Sequence, residues 1–188
     1  RLKEELERIL REAEKNVREN LRRNRESLKE SKETVDRLSE ENKKTLEEVR
    51  TTVEELLKEL KDKREVLKRI KEMLDTAKEL VERALELNRD LLRKSERIVT
   101  ESERLIKELE EELRRVVETV TRLLAEGRPE EVVRDALRKL EEINRRINEI
   151  SERMLKENKR LLEEIKRINK ETLDRLKELL EEIKEDVR

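Results

Sequence analysis

The side chains of this chain that could do chemistry are carboxylates, amines, guanidinium groups, hydroxyls and carboxamides; there is no His, Cys, Phe, Trp, Tyr or Gln in its 188 residues. Adjacent carboxylates such as Glu130 with Glu131, or Glu163 with Glu164, have the composition for a divalent cation or for acid and base work. Metal centres in helical bundles, however, combine inward Glu with His, and these acids fall on the outer face of a helical repeat, so the sequence predicts solvated surface there and no metal. Arg22 with Arg23 and Arg145 with Arg146 are interleaved with acids and lack aromatic neighbours on which bases could stack. They read as helix-surface ion pairs. Gly127 has no second glycine after it and no strand before it, so it cradles no phosphate. Ser and Thr have no His or Cys partner to make a nucleophile. The sequence therefore predicts no enzyme, no cofactor and no catalytic residue.

What remains is a set of small polar residues at regular spacing. In the first third of the chain Val17, Leu21, Leu28, Val35, Leu38, Val49 and Leu56 follow the alternating three and four spacing of a coiled-coil seam. The gaps of that seam hold Asn24, Ser31, Asn42, Thr45 and Thr52. Asn88, Ser95 and Ser102 do the same in the middle third, and Asn144, Ser151, Asn158, Asn169 and Thr172 in the last. Amides and hydroxyls at seam positions imply hydrogen bonds between helices, since an unpaired buried polar atom costs about 1–3 kcal/mol.

Such a pattern needs long helices. Charged residues are 54% of the chain and apolar ones 32%, with helical periodicity throughout, which is the composition of long helices and coiled coils. The 50 basic and 51 acidic residues nearly cancel, so no field exists to condense the chain on nucleic acid. No apolar run approaches a membrane span, and RLKEELERIL has no signal-peptide core, so a soluble protein without a targeting signal is expected. Without Cys there is no disulfide.

Two places can turn the chain. At Glu126-Gly127-Arg128-Pro129, glycine supplies a left-handed residue after a helix and proline the first position of the next, followed by acids that suit its positive N-terminus. At Lys61-Asp62-Lys63-Arg64-Glu65, Asp62 can cap the following helix with Glu65 reaching back as in a capping box. The resulting segments, 1–61, 62–126 and 127–188, carry 17 and 17, 16 and 17, and 17 and 17 basic and acidic residues. The prediction is an all-α, antiparallel up-down-up three-helix coiled-coil bundle with helices of about 60 residues, each about 90 Å long. It forms a single elongated bundle over 1–188: helix 1 at about 2–60, a turn at about 61–64, helix 2 at about 63–125, a loop at about 126–129 and helix 3 at about 129–187.

Antiparallel neighbours at one level have residue numbers with a constant sum. Asn24 with Ser102, Ser31 with Ser95 and Asn42 with Ala84 all sum to 126; Ser102 with Ser151, Ser95 with Asn158 and Ala84 with Asn169 sum to 253. Both values centre on the turns read from capping chemistry. Three layers are thus expected: Asn24/Ser102/Ser151, Ser31/Ser95/Asn158 and Asn42/Ala84/Asn169, with Thr45 and Thr172 one step further and Asn88 about a turn from the third. The apolar stripe shifts between the row Leu2, Leu6, Ile9, Ala13 and the row Leu10, Val17, Leu21, which leaves Asn16 and Asn20 unassigned. Met73 and Met154 fall on apolar stripes as core filler.

With balanced charge in each helix, a restricted alphabet, Glu/Lys/Arg surfaces, the EGRPEE loop and Asn/Ser/Thr layers at heptad spacing, the chain resembles the de novo designed helical bundles built around buried hydrogen-bond networks. The resemblance covers the whole chain and rests on style; it implies architecture, high stability and specific assembly, and no active site. A natural counterpart would be a spectrin-like repeat, but such repeats use aromatic core residues and shorter helices. The expected function is a non-catalytic structural scaffold whose polar layers set register and specificity, needing no partner if monomeric. The alternative is an interaction module, either an oligomer subunit or a host for a helical partner. It draws on extra apolar rows: Val66, Met73, Leu80 and Leu87; Leu85, Leu92, Val99 and Ile106; and Leu155, Leu162, Leu173 and Leu180.

Overall fold

A computed structural model describes residues 2–187. Three α-helices account for nearly all of them: α1 (Leu2–Glu59), α2 (Arg64–Ala125) and α3 (Glu130–Asp186). Strong helix formers fill the surfaces, and the acids Glu4, Glu5, Glu65, Glu130 and Glu131 stand in first turns while Lys58, Arg122 and Lys184 stand in last turns, each matched to the helix dipole. The helices alternate in direction, so α1 and α3 run parallel with α2 antiparallel to both. The fold is a three-helix bundle.

The two connections differ in chemistry. After α2 the Gly127 N–H bonds the Leu124 carbonyl at 3.2 Å and the Arg128 N–H bonds the Leu123 carbonyl at 3.1 Å. With Gly127 at φ 65° this is a Schellman closure, which satisfies carbonyls the helix end would otherwise leave open. The Pro129 carbonyl then accepts from Val132 at 3.1 Å and Val133 at 3.4 Å, so proline stands at the cap of α3, one position earlier than the sequence suggested. At the first connection the Lys63 N–H closes on the Leu60 carbonyl at 3.1 Å, and the Lys63 carbonyl accepts the first helical bond of α2, from Leu67, at 3.0 Å. Lys63 is therefore the cap. Asp62 lies one residue outside the position from which it was expected to act.

Contacts group the chain into two compact units, Arg1–Lys29 with Ser95–Lys159, and Glu30–Lys94 with Arg160–Arg188. Each unit takes one stretch from all three helices. In the first, Leu6, Ile9, Ala13 and Val17 of α1 meet Ile106 to Val120 of α2 and Val133 to Ile147 of α3 in one apolar core. In the second, Val49 and Val53 meet Ile70, Ala77, Val81, Leu176, Leu179 and Ile183, with a smaller cluster of Val35, Leu91 and Ile165. Of the extra apolar rows, Val99, Ile106 and Leu162 are buried and the rest (Val66, Met73, Leu80, Leu85, Leu87, Leu92, Leu155, Leu173 and Leu180) are half-buried, while Val132 is the one exposed large apolar side chain among the described residues.

A β-carbon added at Gly127 would meet nothing within 4 Å, so alanine there suffers only from its backbone angle. Gly127→Ala should cost about 1 kcal/mol in urea unfolding. An unchanged midpoint would show that the left-handed closure is not needed.

Candidate functional site: the buried amide and hydroxyl layers

The residues predicted to form polar layers all lie in the interior: Asn24, Ser31, Asn42, Thr45, Asn88, Ser95, Ser102, Ser151, Asn158, Asn169 and Thr172, with Asn24, Ser95 and Ser151 at 0% exposure. They reach it because each replaces an apolar residue in the three and four repeat that faces the other two helices. How they pair is a matter of helix rotation and register.

In the first unit Asn24 is the centre of a three-helix layer. Its amide nitrogen donates to the Ser102 hydroxyl at 3.2 Å, and its carbonyl oxygen accepts from the Ser151 hydroxyl at 3.0 Å. One carboxamide thus closes a network with two hydroxyls. The Ser95 hydroxyl donates to the Asn158 carbonyl oxygen at 3.1 Å, while the Asn158 amide nitrogen lies 3.2 Å from the Met154 sulfur and 3.5 Å from the Ser27 hydroxyl. Ser27 was not among the predicted layer residues.

The same unit holds a carboxamide ladder that the predicted layers omit. The Asn16 amide donates to the Asn144 side-chain oxygen at 2.7 Å, and the Asn20 amide donates to Asn148 at 2.9 Å and to Asn16 at 3.0 Å. Asn20 is 3% exposed, because the interior row of α1 runs Leu6, Ile9, Ala13, Val17, Asn20, Asn24. A signal for the ladder was available. Parallel helices pair at constant difference, and Asn16/Asn20 and Asn144/Asn148 repeat a spacing of four at a separation of 128.

In the second unit the α2 partner of Asn169 is Asn88, one turn away from the expected Ala84. The Asn88 amide donates to the Asn169 oxygen at 3.0 Å, and the Asn169 amide donates back to the Asn88 oxygen at 2.7 Å, a closed two-bond ring between α2 and α3. α1 joins this ring from the side, through Asn42 donating to the Asn169 oxygen at 2.9 Å and Ser39 accepting from Asn88 at 3.2 Å. Longer amide side chains reach past the level at which the Cβ atoms align, which is why Asn88 takes the place assigned to Ala84. Thr45 and Thr172 are buried but turn back on their own helices, donating to the Glu41 and Ile168 carbonyls at 3.1 and 2.9 Å.

Among the described residues the titratable side chains lie outside these layers. Among the described residues none of the buried polar side chains is ionisable. Glu130 accepts from Arg134, Glu163 and Glu164 face Lys166 and Arg167, and Arg22 pairs with Glu26, all on exposed surface. Such pairs contribute little to stability. Arg104 bonds both Glu101 and Glu108, and its hydrogen bond holds the Glu101 carboxyl below its ordinary value. That favours the pair at neutral pH and is lost as pH falls through the lowered value. Among the described residues no group of three or more His, Cys, Asp or Glu is placed to hold a metal ion, and no helix is long and apolar enough to cross a membrane. An open groove of about 450 Å³ in the first unit is lined by Leu6, Leu10, Val117 and Leu124, with Lys3 and Glu7 at its edge.

This chemistry defines a class: a helical bundle whose interior carries a neutral hydrogen-bond network, which fits a structural scaffold. Comparison with protein-family models, curated proteins and solved structures found no match.

Two outcomes are expected for the Asn24 layer. Asn24→Ala strands the Ser151 hydroxyl and should cost about 1–3 kcal/mol, whereas adding Ser102→Ala and Ser151→Ala should cost less than the sum of the single losses by at least about 1 kcal/mol. Additive values from urea unfolding would mean the three side chains do not act as one network. Because none of the three titrates, that coupling should be the same at about pH 5 and about pH 8; a coupling that changes with pH would place a charged group in the layer.

Proposed function

We propose that the chain is a non-catalytic structural scaffold of designed origin that works as a self-contained monomer, its buried Asn, Ser and Thr layers fixing helix register and excluding wrong partners. The observation that carries this reading is the reciprocity of the network: Asn24 gives to one helix and takes from the other, and Asn88 and Asn169 satisfy each other. A slip of α3 by one heptad breaks the Asn88–Asn169 ring and sets Asn88 at the level of Leu162 or Leu176. Buried polar groups in coiled coils have register and partner choice as their best-attested use. The designed origin rests on balanced charge, the restricted alphabet and the loop sequence, and monomeric behaviour is supported by Val132 being the one exposed large apolar side chain among the described residues.

The test replaces Asn24, Asn42, Asn158 and Asn169 by Leu and Ser31 and Ser95 by Ala, then follows mass by light scattering on a sizing column over a wide concentration range. The parent chain should hold one mass near 22.9 kDa. The variant should be at least as stable yet spread over several assembly states. A variant that stays a single monomer refutes the selective role of the layers. A parent chain of multiple mass refutes the monomer and favours an assembly subunit.

A further inference from the structure

Within the second unit the three helices do not contribute equally. Over residues 31–45 of α1 the buried side chains are Ser31, Thr34, Val35, Ser39, Asn42 and Thr45, of which Val35 alone is apolar. Facing segments are richer: α2 buries Ala84 and Leu91 beside Asn88, and α3 buries Leu162 and Ile165 beside Asn169 and Thr172. Apolar burial is the main force holding a helix on its neighbours, so this part of α1 is the most weakly held. Local propensity acts in the same direction. All six buried residues, and Asp36 with them, belong to the weaker helix formers, whereas Leu, Glu, Lys and Arg dominate residues 160–167 of α3.

The hydrogen-bond geometry adds an independent reason. The ring between Asn88 and Asn169 is complete without α1, since each amide both gives and accepts across the α2–α3 seam. Asn42 and Ser39 attach to its edge. When α1 leaves, the ring keeps both of its bonds, and the side chains that depart regain water as a partner. An opening of α2 or α3 would break the ring and strip the larger apolar share.

We infer that residues 31–45 of α1 form a built-in opening segment, which leaves the other two helices while α2 and α3 stay paired through the Asn88–Asn169 ring. The polar layer is thus a conformational device as well as a register mark: it concentrates local unfolding in one helix. This goes beyond the scaffold reading and holds whether or not the layers select partners.

Native-state hydrogen exchange on the full chain tests it. Amides of residues 34–45 should exchange at least about tenfold faster than those of residues 85–94 and 161–172. The Thr45 hydroxyl bonds only its own helix, so T45V adds apolar surface without removing a bond between helices. That variant should slow the α1 amides at least about fivefold and leave the α2 and α3 amides within about twofold. Equal exchange in all three segments, or a variant that slows all three together, overturns the inference, because opening would then be global.

Discussion

A carboxamide taken out of water must find its full set of partners, and this requirement governs the interior of the bundle. Leucine against leucine is tolerant of a slide by one heptad, since the apolar contact is non-directional. The Asn24 carboxamide is directional: its nitrogen needs an acceptor and its oxygen a donor, about 3 Å away and in the right direction. Ser102 and Ser151 provide these from two different helices. The separation of paired residues on α1 and α3 is accordingly 127 or 128 for Asn16, Asn20 and Asn24 in one unit and for Asn42 in the other. Apolar clusters supply the driving force, and the amides add directional contacts between the helices.

The surface adds little to the pairing of the helices. Ion pairs are overwhelmingly within one helix at spacings of three and four, as in Arg22 with Glu26 or Arg167 with Glu171. They support helicity and leave helix pairing nearly indifferent to charge. Arg25 with Glu103 and Arg69 with Asp186 are the exceptions that bridge helices among the ion pairs described, and both are at the rim. Among the described residues no buried Asn, Ser or Thr partner can change its charge, so these pairings do not titrate.

Much of the site was legible from residue numbers alone. Seam positions occupied by Asn and Ser identified the interior polar residues, and constant sums located the Asn24 layer and the partner of Ser95. Failures came where side-chain length mattered. Asn88 was assigned a place one turn away, yet its amide reaches Asn169; Thr45 and Thr172 were expected to extend a layer, yet a short hydroxyl beside its own helix carbonyl bonds locally. The Asn16, Asn20, Asn144 and Asn148 ladder was missed because the α1 stripe changes phase there, so one-dimensional spacing could not say which of two rows faced inward.

By itself the sequence determined that there are three long helices, where they end and which residues are apolar enough to meet. Those properties are local: a glycine followed by proline stops a helix, and a three and four repeat makes a stripe, wherever they occur. Tertiary structure decided which amide meets which, and that Asn88 and Asn169 close on each other without α1. These depend on helix rotation to within a fraction of a turn and on distances of a few tenths of an ångström, which no spacing in the chain encodes and only the mutual packing of three helices fixes.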